Sequence, residues 1–209
     1  MFVKLCGFTC QRDAEMLQGL NVSAAGIVFY RGSERFVRPV IAREITSVLK
    51  ESGIAAAGVF VDDDPDTIKS IADYVGLDML QVYSMETAKS LRGFLPLISC
   101  FRVRPEHDTG DLPAPADGGL ILFDTFDEVN MGGTGRSFSS GILSNYGFRN
   151  RMIIAGGLNS SNITSIIKNI WPFGVDISSG IEEAPRVKSA EKIKDILEKM
   201  KEAENDGTA

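Results

Sequence analysis

Short apolar runs alternate with amphipathic segments from one end of the chain to the other. The apolar runs cover residues 2–6, 25–29, 56–61, 79–82, 95–103, 119–123, 152–155 and 174–177. Several are rich in Val, Ile and Phe and lack strict polar alternation, the pattern of strands buried on both faces of a parallel sheet. Between them, apolar positions recur at helical spacing. Ile41, Ile45, Val48 and Leu49 fall on one helix face, and Ile68, Ile71, Ala72 and Val75 form the same kind of stripe. Ile163, Ile166, Ile167 and Ile170 repeat it, as do Ile193, Ile196, Leu197 and Met200. Ser160 or Ser161 is placed to cap the third of these helices, and Ser189 or a neighbour the fourth.

Eight strand-like runs with mostly helical connections predict an α/β fold, a closed parallel eight-stranded (βα)8 or TIM barrel. Right-handed crossovers are compatible with an open sheet as well, so the count favours the barrel without forcing it. One connection breaks the pattern. Residues 104–117 carry three prolines and no apolar stripe, so the fifth helix is expected to be replaced by a loop. Residues 1–209 read as one barrel domain, with the polar stretch 202–209 expected to fray.

Composition narrows the function. The chain has 209 residues, 44% hydrophobic and 24% charged, enough to bury a core without a metal or disulfide staple. A net charge of −6 with no basic cluster argues against nucleic acid as a partner, while a small anionic ligand stays open because a few backbone amides outweigh net charge locally. No apolar run approaches the roughly 20 residues that span a bilayer, and residues 1–6 are too short and interrupted for a signal peptide. A cytoplasmic protein without a membrane partner is expected. Cys6, Cys10 and Cys100 are an odd number, so a disulfide framework is not expected. With His107 as the lone histidine, Cys6 and Cys10 lack the further ligands a zinc site needs, and no metal is expected.

In a barrel, chemistry belongs at the C-terminal ends of the strands and in the loops that follow. Cys6 ends the first run and Asp124 follows the sixth, so a thiol and a carboxyl can face each other across one mouth as base and acid. Taken alone, Cys6 reads first as a buried core cysteine, and Asp124 is open to reading as a cap or turn residue. Gly156 and Gly157 follow the seventh run, and Ser178, Ser179 and Gly180 the eighth. Barrels often bind phosphate there through backbone N–H groups, although glycines also serve simply to turn a strand into a helix. Gly133 and Gly135, within residues 132–136 after the sixth run, either close over a substrate or form a plain connection. Arg35, after the second run, is suited to hold a carboxylate by paired hydrogen bonds, or it is a solvated surface arginine.

Taken in order, these segments resemble the phosphoribosylanthranilate isomerase family over almost the whole chain. The resemblance rests on Lys4-Leu5-Cys6-Gly7-Phe8-Thr9, on Gly26-Ile27-Val28-Phe29-Tyr30 with Ser33-Glu34-Arg35-Phe36-Val37, and on Phe123-Asp124 with Gly132-Gly133-Thr134-Gly135-Arg136-Ser137-Phe138. Ala155-Gly156-Gly157-Leu158-Asn159 and Gly174-Val175-Asp176-Ile177-Ser178-Ser179-Gly180-Ile181-Glu182 complete it. It implies an isomerase of tryptophan biosynthesis that converts N-(5-phosphoribosyl)anthranilate to 1-(2-carboxyphenylamino)-1-deoxyribulose 5-phosphate by an Amadori rearrangement. By the same resemblance Cys6 is the general base, Asp124 the general acid and Arg35 the anthranilate carboxylate ligand. Gly133 and Gly135 join the substrate site; Gly156, Gly157, Ser178, Ser179 and Gly180 hold the phosphate. No cofactor is implied, and a monomer or homodimer is expected.

The chain departs from the family at Tyr83-Ser84, where His-Gly is usual, at Ser139-Ser140, where Asp-Trp is frequent, and at Arg186, where glycine is common. Two rival readings stay open. A histidine-pathway sugar-phosphate isomerase, or a bifunctional version of it, resembles a pair of aspartates at the first and sixth strand ends, whereas Cys6 stands at the first here. A barrel that binds phosphate but no longer turns over is motivated by Tyr83-Ser84.

Overall fold

Each predicted apolar run becomes a strand in the computed structural model, which describes residues 1–104, 106–115, 118–124 and 138–206. Strands β1 (Phe2–Cys6), β2 (Ala24–Val28), β3 (Ala55–Phe60), β4 (Met79–Val82), β5 (Leu97–Arg102), β6 (Leu120–Asp124), β7 (Met152–Ala155) and β8 (Gly174–Ile177) pair in sequence order. β8 returns to β1 and closes a parallel barrel. Helices α1 (Gln11–Glu15), α2 (Pro39–Glu51), α3 (Pro65–Val75), α4 (Met85–Ser90), α5 (Phe138–Ser144), α6 (Ile163–Ile170) and α7 (Ala190–Asp206) lie between or after the strands. Parallel pairing requires a crossover after every strand, and a helix satisfies its own backbone while making that return.

The two-residue period of the strands divides their side chains. Leu5, Ile27, Phe60, Leu80, Phe123, Ile154 and Val175 pack with Ile45, Ile68, Ile167 and Ile196 of the helices in one continuous core. Burying each such side chain contributes about 1.5–3 kcal/mol. Ala24, Ala57, Met79, Ile98, Cys100, Leu122 and Ile153 fill the barrel interior instead. The mouth above them is walled by Cys6, Val28 and Val59, with Tyr30 and Tyr83 packed against them.

Helix ends follow local chemistry. Asp64 accepts the N–H groups of Asp66 and Thr67 at 3.1 and 3.0 Å, and Pro65 opens α3. Ser189 accepts the N–H of Lys192 at 3.4 Å ahead of α7, as expected. The cap of α6 is Asn162 rather than Ser160 or Ser161. Ser161 is drawn into the preceding turn, where its N–H donates to Asn159 Oδ1 at 2.9 Å, while Asn162 Nδ2 donates to the Gly157 carbonyl at 3.0 Å.

Among the described residues of 104–117, the fifth connection holds only a 3-10 turn at Thr109–Asp111, closed by reciprocal bonds between Asp108 and Asp111, in agreement with the expected missing helix. α7 continues through Asp206 because Ala203 is fully buried in the core, so one face of a polar segment keeps the helix docked. Residues 207–209 lie outside the described residues, as do Gly133, Gly135 and the rest of 125–137.

After β8 comes a feature the apolar pattern does not reveal. A 3-10 turn at Ser179–Ile181 leads into an antiparallel hairpin of β9 (Glu182–Ala184) and β10 (Val187–Lys188). Arg186 at its tip is exposed and adopts φ 71°, a left-handed conformation that strains a side-chain-bearing residue. Arg186→Gly is expected to raise the unfolding free energy by about 1 kcal/mol, since such strain costs of that order. A urea titration with unchanged m-value would show it, and a loss of stability would mean that the arginine side chain makes compensating contacts.

Candidate active site

The C-terminal mouth of the barrel holds a cavity of about 980 Å³. Its wall brings together side chains that are far apart in the chain: Cys6 from β1, Arg35 from the β2 loop, Asp124 from β6 and Asp176 from β8. Gly156, Gly157, Ser178 and Ser179 line the same cavity. Gly180 does not line it but makes it possible. A Cβ at this position would overlap the carbonyl oxygen of Leu158, so only glycine allows the loop after β8 to lie against the loop after β7.

Cys6 is buried at the floor of the mouth. Gly26 on the adjacent strand leaves the space its sulfur needs: a Cβ there would be 2.5 Å from Sγ and 3.0 Å from Lys4 Nζ. The thiol and the ammonium are therefore neighbours. Burial pushes the Cys6 thiol above its ordinary pKa, and the positive charge of Lys4 opposes that rise. Lys4 is itself fully buried and donates to Asp176 Oδ2 at 2.8 Å. Burial alone disfavours its charge, but Asp176 and Cys6 together outweigh burial and keep the ammonium protonated. Asp176 Oδ1 is buried without a hydrogen-bond partner in the cavity wall.

Arg35 is half-buried and paired. Its Nε donates to Glu182 Oε1 at 2.8 Å and its Nη2 to Glu182 Oε2 at 2.5 Å. That pair uses two of the five N–H donors of a guanidinium and fixes the plane of the group beside the cavity. Burial alone would raise the Glu182 carboxyl, but the hydrogen bonds from Arg35 and Lys188 outweigh it and hold it below the usual glutamate range. The departure at residues 83–84 also has a structural account. Tyr83 lines the cavity, and burial together with Cys100, Asp124 and Cys6 keeps its phenol protonated. Ser84 caps α4, accepting the Thr87 N–H at 3.2 Å.

Sequence reasoning missed Lys4, Asp176, Glu182 and Lys188 as members of this region. Lys4 and Asp176 carried a signal: opposite charges inside two apolar runs that a barrel pairs, with Lys4 in register with Asp176. Glu182 carried only its place at the end of the last resembling segment and Lys188 none, because the hairpin that delivers them leaves no periodic trace. Among the described residues, no group of His, Cys, Asp and Glu is arranged to hold a metal, and no helix is long and apolar enough to cross a membrane.

Fold and cavity define a (βα)8-barrel enzyme whose polar groups converge on the C-terminal mouth. The sequence profile of N-(5'-phosphoribosyl)anthranilate (PRA) isomerase matches residues 3–199. The chain belongs to that family, and it is an isomerase of tryptophan biosynthesis. It is 34% identical over 207 residues to the N-(5'-phosphoribosyl)anthranilate isomerase of Pelobacter propionicus, covering 99% of this chain and 98% of the relative. A crystal structure of phosphoribosyl anthranilate isomerase in complex with reduced 1-(o-carboxyphenylamino)-1-deoxyribulose 5-phosphate superposes with a TM-score of 0.79 at 31% identity, covering 97% of this chain and 99% of that one. Monomers generated from the dimeric phosphoribosylanthranilate isomerase of Thermotoga maritima superpose at 0.77 with 29% identity, covering 96% and 98%.

Proposed function

We propose that the mouth of this barrel converts N-(5-phosphoribosyl)anthranilate to 1-(2-carboxyphenylamino)-1-deoxyribulose 5-phosphate, with Cys6 as general base and Asp124 as general acid. The carrying observation is the convergence of Cys6, Asp124, Arg35 and the loops after β7 and β8 on one cavity. Asp124 gives a proton to the ribose ring oxygen, the C1–O bond breaks, and the nitrogen lone pair forms a protonated Schiff base. Cys6 removes the C2 proton, the electrons move to nitrogen, and an enolamine results. Its tautomerisation to the 2-ketone completes an isomerisation in which atoms and electrons are conserved, so the reaction itself calls for no oxidant or group donor.

Arg35 binds the anthranilate carboxylate with donors outside the Glu182 pair. Gly156, Gly157, Ser178 and Ser179 receive the phosphate through backbone N–H groups, with Gly180 allowing the two loops to meet. Gly133 and Gly135 are assigned to substrate on the resemblance alone. Anchoring both ends converts binding energy into alignment at C1 and C2. We read residues 1–209 as one domain acting in the cytoplasm, as a monomer or homodimer, on a small phosphorylated substrate, with no nucleic-acid or membrane partner.

The test is the fluorescence decay of freshly generated phosphoribosylanthranilate on adding purified protein. Rapid loss above the spontaneous rate is the expected result. Loss at the spontaneous rate, with a phosphate-bearing product analogue still bound, would instead identify a barrel that binds without turning over.

A further inference from the structure

Lys188 lines no part of the cavity, yet its ammonium joins two residues that do, Cys6 and Ser178, to Glu182, the partner of a third, Arg35. Its side chain is fully buried. Nζ donates to the carbonyl oxygen of Cys6 at 2.5 Å, to the carbonyl oxygen of Ser178 at 3.3 Å and to Glu182 Oε1 at 2.9 Å. An ammonium has three N–H donors and no acceptor, so three acceptors match its capacity. Glu182 passes the connection on to Arg35 through its bidentate pair. The stem of Arg35 in turn crosses Gly7, where a Cβ would be 2.5 Å from Cδ. Nζ also lies 5.5 Å from the centre of the Phe8 ring, which closes the remaining side.

We propose that Lys188 is a positioning residue for the isomerisation, fixing the Cys6 backbone, the loop at Ser178 and, through Glu182, the Arg35 guanidinium in one geometry. This rests on the reaction proposed above. Base, phosphate loop and carboxylate ligand come from β1, the loop after β8 and the loop after β2, which share no local backbone. One ammonium held by charge-assisted hydrogen bonds ties them together without touching the substrate. Arginine cannot replace it, because a flat guanidinium fork does not point three donors at acceptors grouped around one atom.

Two variants separate its arms. Glu182→Gln cuts the path to Arg35 but leaves the bonds to Cys6 and Ser178. It is expected to raise KM about tenfold, the scale of a weakened charged hydrogen bond, with kcat falling less than about threefold. Lys188→Met releases all three groups and is expected to raise KM similarly and also to lower kcat about 100-fold, since displacements near 1 Å at a reacting group carry that penalty. Lys188→Met leaves the buried Glu182 carboxylate one cation short, so the Glu182→Gln/Lys188→Met double variant, which carries neither charge, is measured beside it. Its kcat is expected to fall about 100-fold below that of Glu182→Gln, at equal folded content by circular dichroism.

A double variant with the same kcat as Glu182→Gln would overturn the proposal, leaving Lys188 as a mere partner of Glu182. So would a loss of activity that only tracks loss of folded protein. Wild-type turnover in the same assay keeps the two readings apart: a silent wild type sinks the reaction, whereas an active wild type with unimpaired variants sinks only the role of Lys188.

Discussion

Cys6→Ser is expected to lower turnover of phosphoribosylanthranilate by about 10²–10⁴-fold, the usual contribution of a positioned proton-transfer group, with the circular-dichroism spectrum unchanged. Serine is nearly isosteric, and Gly26 leaves more than enough space for the smaller oxygen. What changes is acidity: an alcohol gives up its proton far less readily than a thiol. The thiol itself needs help. Burial raises its pKa, while Lys4 beside it and Lys188 behind its carbonyl favour the thiolate. The missing help fits the chemistry of the intermediate, because ring opening places a protonated Schiff base, a cation, in the same cavity and also acidifies the C2–H bond.

The protonation state of Cys6 in the free protein is testable without substrate. Because the thiol is raised above its ordinary value in the free protein, it is protonated at neutral pH. Alkylation of Cys6 by iodoacetamide should therefore accelerate about tenfold per pH unit through neutrality and up to at least pH 9, in step with the thiolate. Peptide mass analysis resolves it from Cys10 and Cys100. A rate that levels off below pH 8 would mean that Cys6 is already ionised in the free protein and needs no help from the Schiff base. A collapsed spectrum in Cys6→Ser would make the residue structural.

Asp124→Asn is the second variant with a large expected effect, again about 10²–10⁴-fold in turnover. The carboxamide keeps the shape of the carboxyl, but its N–H groups are too weakly acidic to protonate the ribose oxygen, so the ring stays closed. The backbone is indifferent to the exchange. The Asp124 carbonyl accepts the Val103 N–H at 2.9 Å, and its strand pairs with Arg102 on one side and Ala155 on the other. All of these contacts survive in asparagine. Binding of an open-chain product analogue, which needs no ring opening, should change by less than about threefold. If the analogue is lost along with turnover, Asp124 holds the ligand instead of protonating it.

Much of this protein is written in its periodicities. Runs such as residues 79–82, 152–155 and 174–177 become strands with those boundaries, because an apolar stretch buried on both faces has few other places to go. Others are offset by a residue or more: β2 begins at Ala24 and β5 at Leu97, since pairing register and not hydropathy decides where a ladder starts. The cap of α6 falls to Asn162 for a related reason. Three polar residues in a row compete for one position, and only the loop geometry gives it to Asn162.

The strand and helix patterns favour a barrel and mark the residues that end its strands. Alternating strand and helix patterns allow few closed solutions, and strand ends in a barrel converge on one mouth whatever their distance along the chain. Cys6, Asp124 and the loops at Gly156 and Ser178 were legible for that reason. How these groups are held follows from contacts distant in the chain. The Lys4–Asp176 pair depends on β8 closing against β1, and the Arg35–Glu182–Lys188 chain depends on a hairpin with no hydrophobic period. Buried charges are stable only with their partners, and those partners are brought near by closure of the barrel, not by neighbouring positions in the sequence.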